Sequence, residues 1–180
     1  MLKRIATLVV LVATLMLTSC AVSATSGLKS HVDSYQGYEF LYPNGWVPVK
    51  VEDGPEVVYH DLIETTENVS VVVNPVPEGK TLSDLGTPTE VGYKLSKNAI
   101  APPDSGREAE LVNAEAREKG SKTYYELEYA VKLPNQARHN LASVAVSRGK
   151  LFTLNLSTRE ERWGKLQGQF KTVVDSFSVY

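Results

Sequence analysis

The segment from Thr123 to Leu133 reads Thr-Tyr-Tyr-Glu-Leu-Glu-Tyr-Ala-Val-Lys-Leu, and it decides the fold class. One set of alternate positions holds Tyr125, Leu127, Tyr129 and Val131, and the other holds Tyr124, Glu126, Glu128 and Ala130. A period of two residues is typical of a half-buried β-strand, because successive side chains point to opposite faces of a sheet. The segment therefore predicts a long strand with one apolar face.

Turn signals on both sides of this strand predict hairpins. Gly120 and its polar neighbours predict a turn back to a strand over Glu108–Glu118, although the Ala and Glu content of that segment also fits a helix. Arg148-Gly149 lies between Leu141–Ser147 and Leu151–Leu156, which predicts a second hairpin. Strands joined by short turns form antiparallel sheets.

The rest of the chain adds strands and two helices. Further strands are predicted over Tyr38–Tyr42, Val57–Asp61, Asn68–Asn74 and Phe177–Tyr180. Thr87-Pro88-Thr89-Glu90 and Ser157-Thr158-Arg159-Glu160 have the spacing of capping boxes, so each predicts the start of a helix. Strands in consecutive hairpins with inserted helices predict an α+β fold, a central antiparallel sheet flanked by helices.

The first residues have the pattern of an export signal. Lys3 and Arg4 precede the uncharged run Ile5–Leu17, which is too short to span a bilayer comfortably. The run ends in Leu17-Thr18-Ser19-Cys20, which resembles a bacterial lipobox and predicts cleavage before Cys20 and lipidation of its sulfur. A free or buried thiol after an ordinary signal peptide is the alternative. The predicted division is a signal peptide over 1–19, a flexible lipidated tether over 20–34 and one domain over 35–180.

Composition excludes several classes of protein. The chain has 180 residues, a net charge of -2 and 42% hydrophobic residues, a globular balance with no basic excess for binding nucleic acid. Its single Cys excludes an intramolecular disulfide framework and any multi-cysteine metal site. The sequence also lacks a Walker-type phosphate loop and a nucleophile elbow, so it offers no candidate catalytic residue.

The charge is unevenly distributed along the chain. Residues 20–130 have a net charge of −9, whereas residues 131–180 have a net charge of +5. The distribution predicts docking on a charged partner, or else it averages out on folding. The candidate partner-binding residues are Arg138, Arg148, Lys150, Arg159 and Arg162.

Two histidines are candidate ligands of a weakly held divalent cation. His139 lies in a loop just before a predicted strand. It can meet Glu160 if this loop and the start of the last helix are neighbours in space. His31 and Asp33 share a face if their segment is extended, although they fall in the predicted tether. Either pair leaves a coordination shell that water must complete, so calcium, manganese or zinc would bind weakly. A surface ion pair at His139 and a solvated His31 are the alternatives.

Five blocks, in order, resemble those of the PsbP family, the extrinsic subunits of photosystem II and their relatives. They are Tyr38–Trp46, Lys122–Tyr129, Arg138–Leu141, Gly149–Leu154 and a closing block from Glu161 to Val179. Together with the lipobox, they indicate the cyanobacterial branch of the family.

The resemblance implies an α/β/α sandwich on the lumenal side of the thylakoid membrane, without enzymatic activity or a required cofactor. The implied partners are the photosystem II core or its assembly intermediates, and plant members are tied to calcium and chloride retention at the oxygen-evolving cluster. His139 and Glu160 occupy positions similar to those proposed to take a divalent metal in the family. A lumenal or periplasmic lipoprotein that shares the fold but binds a divalent metal or small ligand is the alternative.

Overall fold

A computed structural model describes residues 26–52 and 54–180 of the chain. In this part of the chain there are ten strands, two α-helices, a 3-10 turn over Ser83–Leu85 and a turn of π-helix over Ser96–Ile100. The strands are β1 (Leu28–Asp33), β2 (Tyr38–Pro43), β3 (Trp46–Val49), β4 (Val57–Asp61), β5 (Asn68–Pro75), β6 (Glu108–Lys119), β7 (Lys122–Leu133), β8 (Gln136–Ser147), β9 (Lys150–Arg159) and β10 (Ser178–Val179). The helices are α1 (Pro88–Leu95) and α2 (Glu160–Ser176).

Seven strands form one large antiparallel sheet in the order β3-β4-β5-β9-β8-β7-β6. A second sheet of three strands has the order β1-β2-β10. Both predicted hairpins are confirmed, because β6 pairs with β7 across Gly120 and β8 pairs with β9 across Arg148-Gly149. Arg148 and Gly149 both adopt positive φ values, 50° and 69°, which the tight turn requires.

The large sheet has two unlike faces. On the face that we call closed, α2 and the three-stranded sheet cover an apolar cluster that includes Phe152, Leu154 and Phe170. On the opposite face, which we call open, α1 packs on β6 and β7 over a smaller cluster that includes Leu127 and Tyr129. Helices on both faces of an antiparallel sheet confirm the α+β class and the α/β/α order of layers.

The first predicted helix start, with its capping box, is confirmed. The second helix also exists, but the predicted capping box at its start is wrong. The Thr87 hydroxyl accepts from the Glu90 backbone N–H, and the Glu90 carboxylate accepts from the Thr87 N–H, so the capping box of α1 is complete. By contrast, α2 begins at Glu160 without a side-chain cap. Ser157 and Thr158 belong to β9, where their hydroxyls donate to Asn140 of β8 and to Glu67, the residue before β5.

The predicted tether is too long. Leu28–Asp33 is strand β1, paired with β2 along its whole length, so the flexible segment cannot continue to Ser34. The Gly27 carbonyl accepts a hydrogen bond from the Asn44 N–H at 2.8 Å, which fixes the chain just before β1. The predicted signal peptide and Cys20 lie outside the described residues. Among the described helices, none has the length and apolar character needed to cross a membrane.

Candidate functional site at the start of the last helix

His139 and Glu160 meet where β8 passes under the first turn of α2. His139 lies inside β8, not before it as predicted, because the strand begins at Gln136. Its side chain points to the closed face, and Glu160 is the first residue of α2. The His139 Nδ1 atom lies 3.0 Å from Glu160 Oε2. The fold thus brings together two residues that are 21 positions apart in the sequence.

A second carboxylate contacts the other side of the same ring. Glu128 on β7 places its Oε1 atom 2.8 Å from His139 Nε2. The imidazole also stacks on Trp163 of α2, with ring centroids 4.0 Å apart and planes 10° from parallel. Its side chain is only 6% exposed, so the ring is held on three sides. Both contacts are hydrogen bonds only when both ring nitrogens carry protons, since each carboxylate accepts.

This arrangement limits what His139 can do with a metal ion. A cation bound at Nδ1 must replace the proton there and take Glu160 as its second ligand. Glu128 contacts Nε2, on the other side of the ring, so it cannot be a ligand of an ion bound at Nδ1. Within residues 26–52 and 54–180, no group of three or more His, Cys, Asp or Glu side chains is placed to hold a metal ion. The pair fits, at most, a weak site completed by water.

A buried carboxylate that the sequence analysis missed organises the neighbouring arginines. Glu67 precedes β5 and is 2% exposed. It accepts hydrogen bonds from the Thr158 hydroxyl at 2.9 Å and from the Arg162 guanidinium. The hydrogen bond between Arg162 and Glu67, together with the nearby carboxylate charges, raises the pKa of Arg162. Nothing in the sequence distinguishes Glu67 from the surface acids around it.

The other basic residues of this region are also engaged within the fold. Arg159 donates to Glu64 at 3.0 Å and pairs with Glu161 at 2.9 Å. Arg138 is 8% exposed and donates from Nε to the Ser157 hydroxyl at 2.9 Å. Three of the five predicted partner-binding residues, Arg138, Arg159 and Arg162, therefore have structural partners.

The remaining two basic residues lie elsewhere. Arg148 lies in the β8–β9 turn and Lys150 follows it. Arg148 donates to the Gln36 carbonyl at 2.5 Å, and Lys150 donates to the Gln36 side chain at 2.7 Å. In the strand register Arg138 of β8 lies opposite Arg159 of β9, nine residues from the end of β8 that leads into the turn. At about 3.3 Å per residue, that separates the two groups by roughly 30 Å. The five residues thus do not form one continuous surface.

His31 and Asp33 take separate roles in the small sheet. His31 lies on β1 with its ring against Phe40, at a centroid distance of 5.0 Å, and its Nδ1 atom lies 2.9 Å from the Tyr59 hydroxyl. Asp33 accepts from the Gln36 N–H at 2.8 Å and shapes the β1–β2 turn. Burial lowers the pKa of His31, an effect that the nearby Asp33 charge partly opposes. A divalent site at this pair stays a prediction.

Comparison with known proteins gives one family across almost all of the described chain. The PsbP family profile matches residues 26–179. CyanoP of Thermosynechococcus vestitus is 61% identical over 163 residues, which cover 88% of this chain and 89% of that protein. CyanoP of a Synechocystis species is 48% identical and covers 99% of this chain and 98% of its own. The solution structure of CyanoP from Synechocystis superposes with a TM-score of 0.75, covering 91% of this chain and 99% of that one.

Proposed function

Because this chain belongs to the PsbP family, we propose that it associates with photosystem II as a lipid-anchored, lumenal protein without catalytic activity. The observation that carries the proposal is the 61% identity to a cyanobacterial family member over 88% of this chain. Such identity extends beyond a shared fold, which alone would not specify a function. The proposed role is in the assembly or stability of the photosystem, including its oxygen-evolving complex.

The proposed anchor is a diacylglyceryl group on Cys20. The lipobox-like sequence before this residue supports it. The fixed position of Gly27 beside Asn44 also supports it, since the anchored segment would then leave the fold at a defined point. Replacing Cys20 with Ser should move the protein out of the membrane fraction or leave its precursor uncleaved. Lipid labelling that persists in Cys20→Ser contradicts the anchor.

Affinity purification tests the partner. A tag placed after Tyr180, which is 46% exposed, leaves the described fold intact. Photosystem II core subunits should co-purify from thylakoids in mild detergent. Recovery of the tagged protein without any photosystem II subunit, in cells that contain the complex, contradicts the proposal.

A pair of charge reversals tests the docking surface. Arg148 and Lys150 are the two candidate residues held only by Gln36, so Arg148→Glu with Lys150→Glu changes the surface potential without breaking an ion pair of the described residues. We expect co-purification of the photosystem to fall severalfold. The matched control reverses Lys80 and Lys97, which are also exposed but lie in the acidic part of the chain. Equal losses in both variants contradict a specific basic docking site.

Divalent-metal binding is a second candidate function, favoured by the contact between His139 and Glu160. Titration calorimetry of the purified protein with calcium, manganese and zinc tests it. Binding tighter than micromolar that is lost in His139→Gln would support metal handling as a main role. His31→Gln is the control, because His31 contacts Tyr59 and not Glu160. Equal affinity in wild type and His139→Gln excludes the site.

A further inference from the structure

The open face contains a groove that is separate from the His139 site. Helix α1 is pinned over β7, where the Tyr129 hydroxyl donates to the Gly92 carbonyl at 3.1 Å. Gly92 itself packs so closely that a Cβ there would lie 2.8 Å from the Leu111 side chain. The helix therefore leaves β5, β9 and part of β8 uncovered. The uncovered space is a cavity of about 470 Å³, which we call the open groove.

Polar side chains make up much of the floor of the open groove. The strand pairing places Asn68 beside Ser157 and Asn140 in one row across the sheet. The next row places Ser70 beside Asn155. A third row contains Thr153, whose hydroxyl is buried and has no hydrogen-bond partner among the described residues. Buried hydroxyls are rarely left without a partner, so this one indicates a missing polar contact.

A chain of hydrogen bonds fixes the orientation of this floor. Arg138 donates to Ser157, and Ser157 donates to the Asn140 side-chain oxygen at 2.7 Å. The Asn140 amide in turn donates to the Asn155 side-chain oxygen at 3.3 Å. Because the side-chain oxygen of Asn155 accepts this hydrogen bond, the NH₂ group of Asn155 can donate hydrogen bonds to another molecule in the groove.

Among residues 26–52 and 54–180, the charged groups that line the open groove are two arginines, Arg107 and Arg138, and no carboxylate of these residues is part of the lining. Burial has the largest effect on the pKa of Arg138 and lowers it. The negative charge of Glu67 opposes this shift, and the positive charges of Arg107 and Arg159 add to it.

Arg138 is the more unusual of the two arginines. Its hydrogen-bond acceptors are the Ser157 hydroxyl and the Thr66 carbonyl, both neutral. It takes part in none of the ion pairs of the described residues. The Glu67 charge offsets the burial of this cation only in part, and an anion in the groove would offset more of the cost.

The wall opposite the polar floor is apolar. It consists of Leu95, Ala99 and Ile100 from the end of α1 and the π-helical turn. The volume lies within the range of about 300–1,000 Å³ that is usual for small-molecule sites. We propose that the open groove binds a small organic molecule with one carboxylate on an apolar skeleton. The carboxylate pairs with Arg107 and Arg138, and the skeleton contacts Leu95 and Ile100.

Equilibrium dialysis with 3-phenylpropanoate tests the proposal, and its neutral amide serves as the matched probe. The full chain is held in lipid nanodiscs, with empty nanodiscs as the blank. We expect saturable binding of one acid per chain and at least tenfold weaker binding of the amide, because the charge-assisted hydrogen bonds are lost. Absence of saturable binding, or equal binding of acid and amide, overturns the proposal.

Two variants locate the binding. Arg107 is exposed, so Arg107→Gln should keep the fold and weaken binding of the acid about tenfold. Ser70→Phe should fill the groove from its floor and abolish binding. Lys97→Gln is the control, since Lys97 is an exposed cation on the same turn as Ala99 but is not part of the lining. Equal weakening in Arg107→Gln and Lys97→Gln would assign the effect to general surface charge and overturn the site.

Discussion

Along strand β9 the two faces of the large sheet are chemically opposite. On β9 the closed-face residues Phe152 and Leu154 are both 0% exposed. The residues between and beyond them, Thr153 and Asn155, line a groove on the open face. Alternation along one strand thus separates the residues that hold the fold together from residues that the core does not need. Polar side chains on the open face are free to serve binding.

The largest expected effect comes from opening a cavity in the closed face. Phe170 of α2 is 0% exposed and contacts Trp46 and Trp163 edge-on, both at centroid distances of 6.2 Å. Phe170→Ala should lower the free energy of unfolding by about 3–5 kcal/mol, since transfer and cavity terms add. Urea unfolding followed by circular dichroism measures the change. A loss below about 1 kcal/mol would mean that the closed face is not the main core.

A smaller loss is expected at the edge of the closed face, where the interaction is polar. Glu67→Gln keeps the shape of the side chain but removes the charge that Arg162 and Thr158 contact. The free energy of unfolding should fall by about 2–3 kcal/mol, because hydrogen bonds to charged groups are strong and the site is buried. Glu64→Gln is the control, since Glu64 is 32% exposed and its loss should cost under 1 kcal/mol. Equal losses would contradict a special role for Glu67.

Acid should weaken the small sheet that covers the closed face. The pKa of His31 is lowered in the folded protein, chiefly by burial, so the fold needs the neutral ring. Below the unfolded-state pKa of 6.5 the unfolded chain takes up the proton first, and stability falls as the pH falls towards the folded-state pKa. His31→Asn should therefore make the melting temperature fall less between pH 7 and pH 5. Parallel curves for wild type and variant would contradict this linkage.

The smallest effect is expected on the open face. Ser70→Ala and Asn74→Ala remove polar groups that line the open groove. Each should change the free energy of unfolding by no more than about 0.5 kcal/mol. The same urea titration provides the measurement. A loss as large as that in Glu67→Gln would show that the floor of the open groove, too, is part of the structural core.

Strong local signals made most of the fold predictable. Alternation in β7, the glycine turns and the Thr87 capping box each depend on a few neighbouring residues, and all were confirmed. The Ser157–Glu160 capping box failed because its hydroxyls have better partners across the sheet, which no local pattern reveals. Strand β1 was missed because it is a polar edge strand whose Lys29 and Val32 are exposed.

The candidate sites were predictable only in part. The contact between His139 and Glu160 followed from the idea that a strand end and a helix start are neighbours, but Glu128 and Trp163 complete the site from other elements. Glu67 and the open groove gave no signal, since isolated polar residues on a strand also fit a solvated face. Only the strand register places Asn68, Ser157 and Asn140 side by side.

The clamp between Gly27 and Asn44 sets how far the domain can stand from a bilayer that holds Cys20. Seven residues separate Cys20 from β1. Even a fully stretched chain of that length reaches only about 25 Å. A lipidated form would therefore search for its partner within a thin layer, by lateral diffusion. Membrane proteins that extend only a short distance from the bilayer would contact the anchored domain as readily as those that extend far from it.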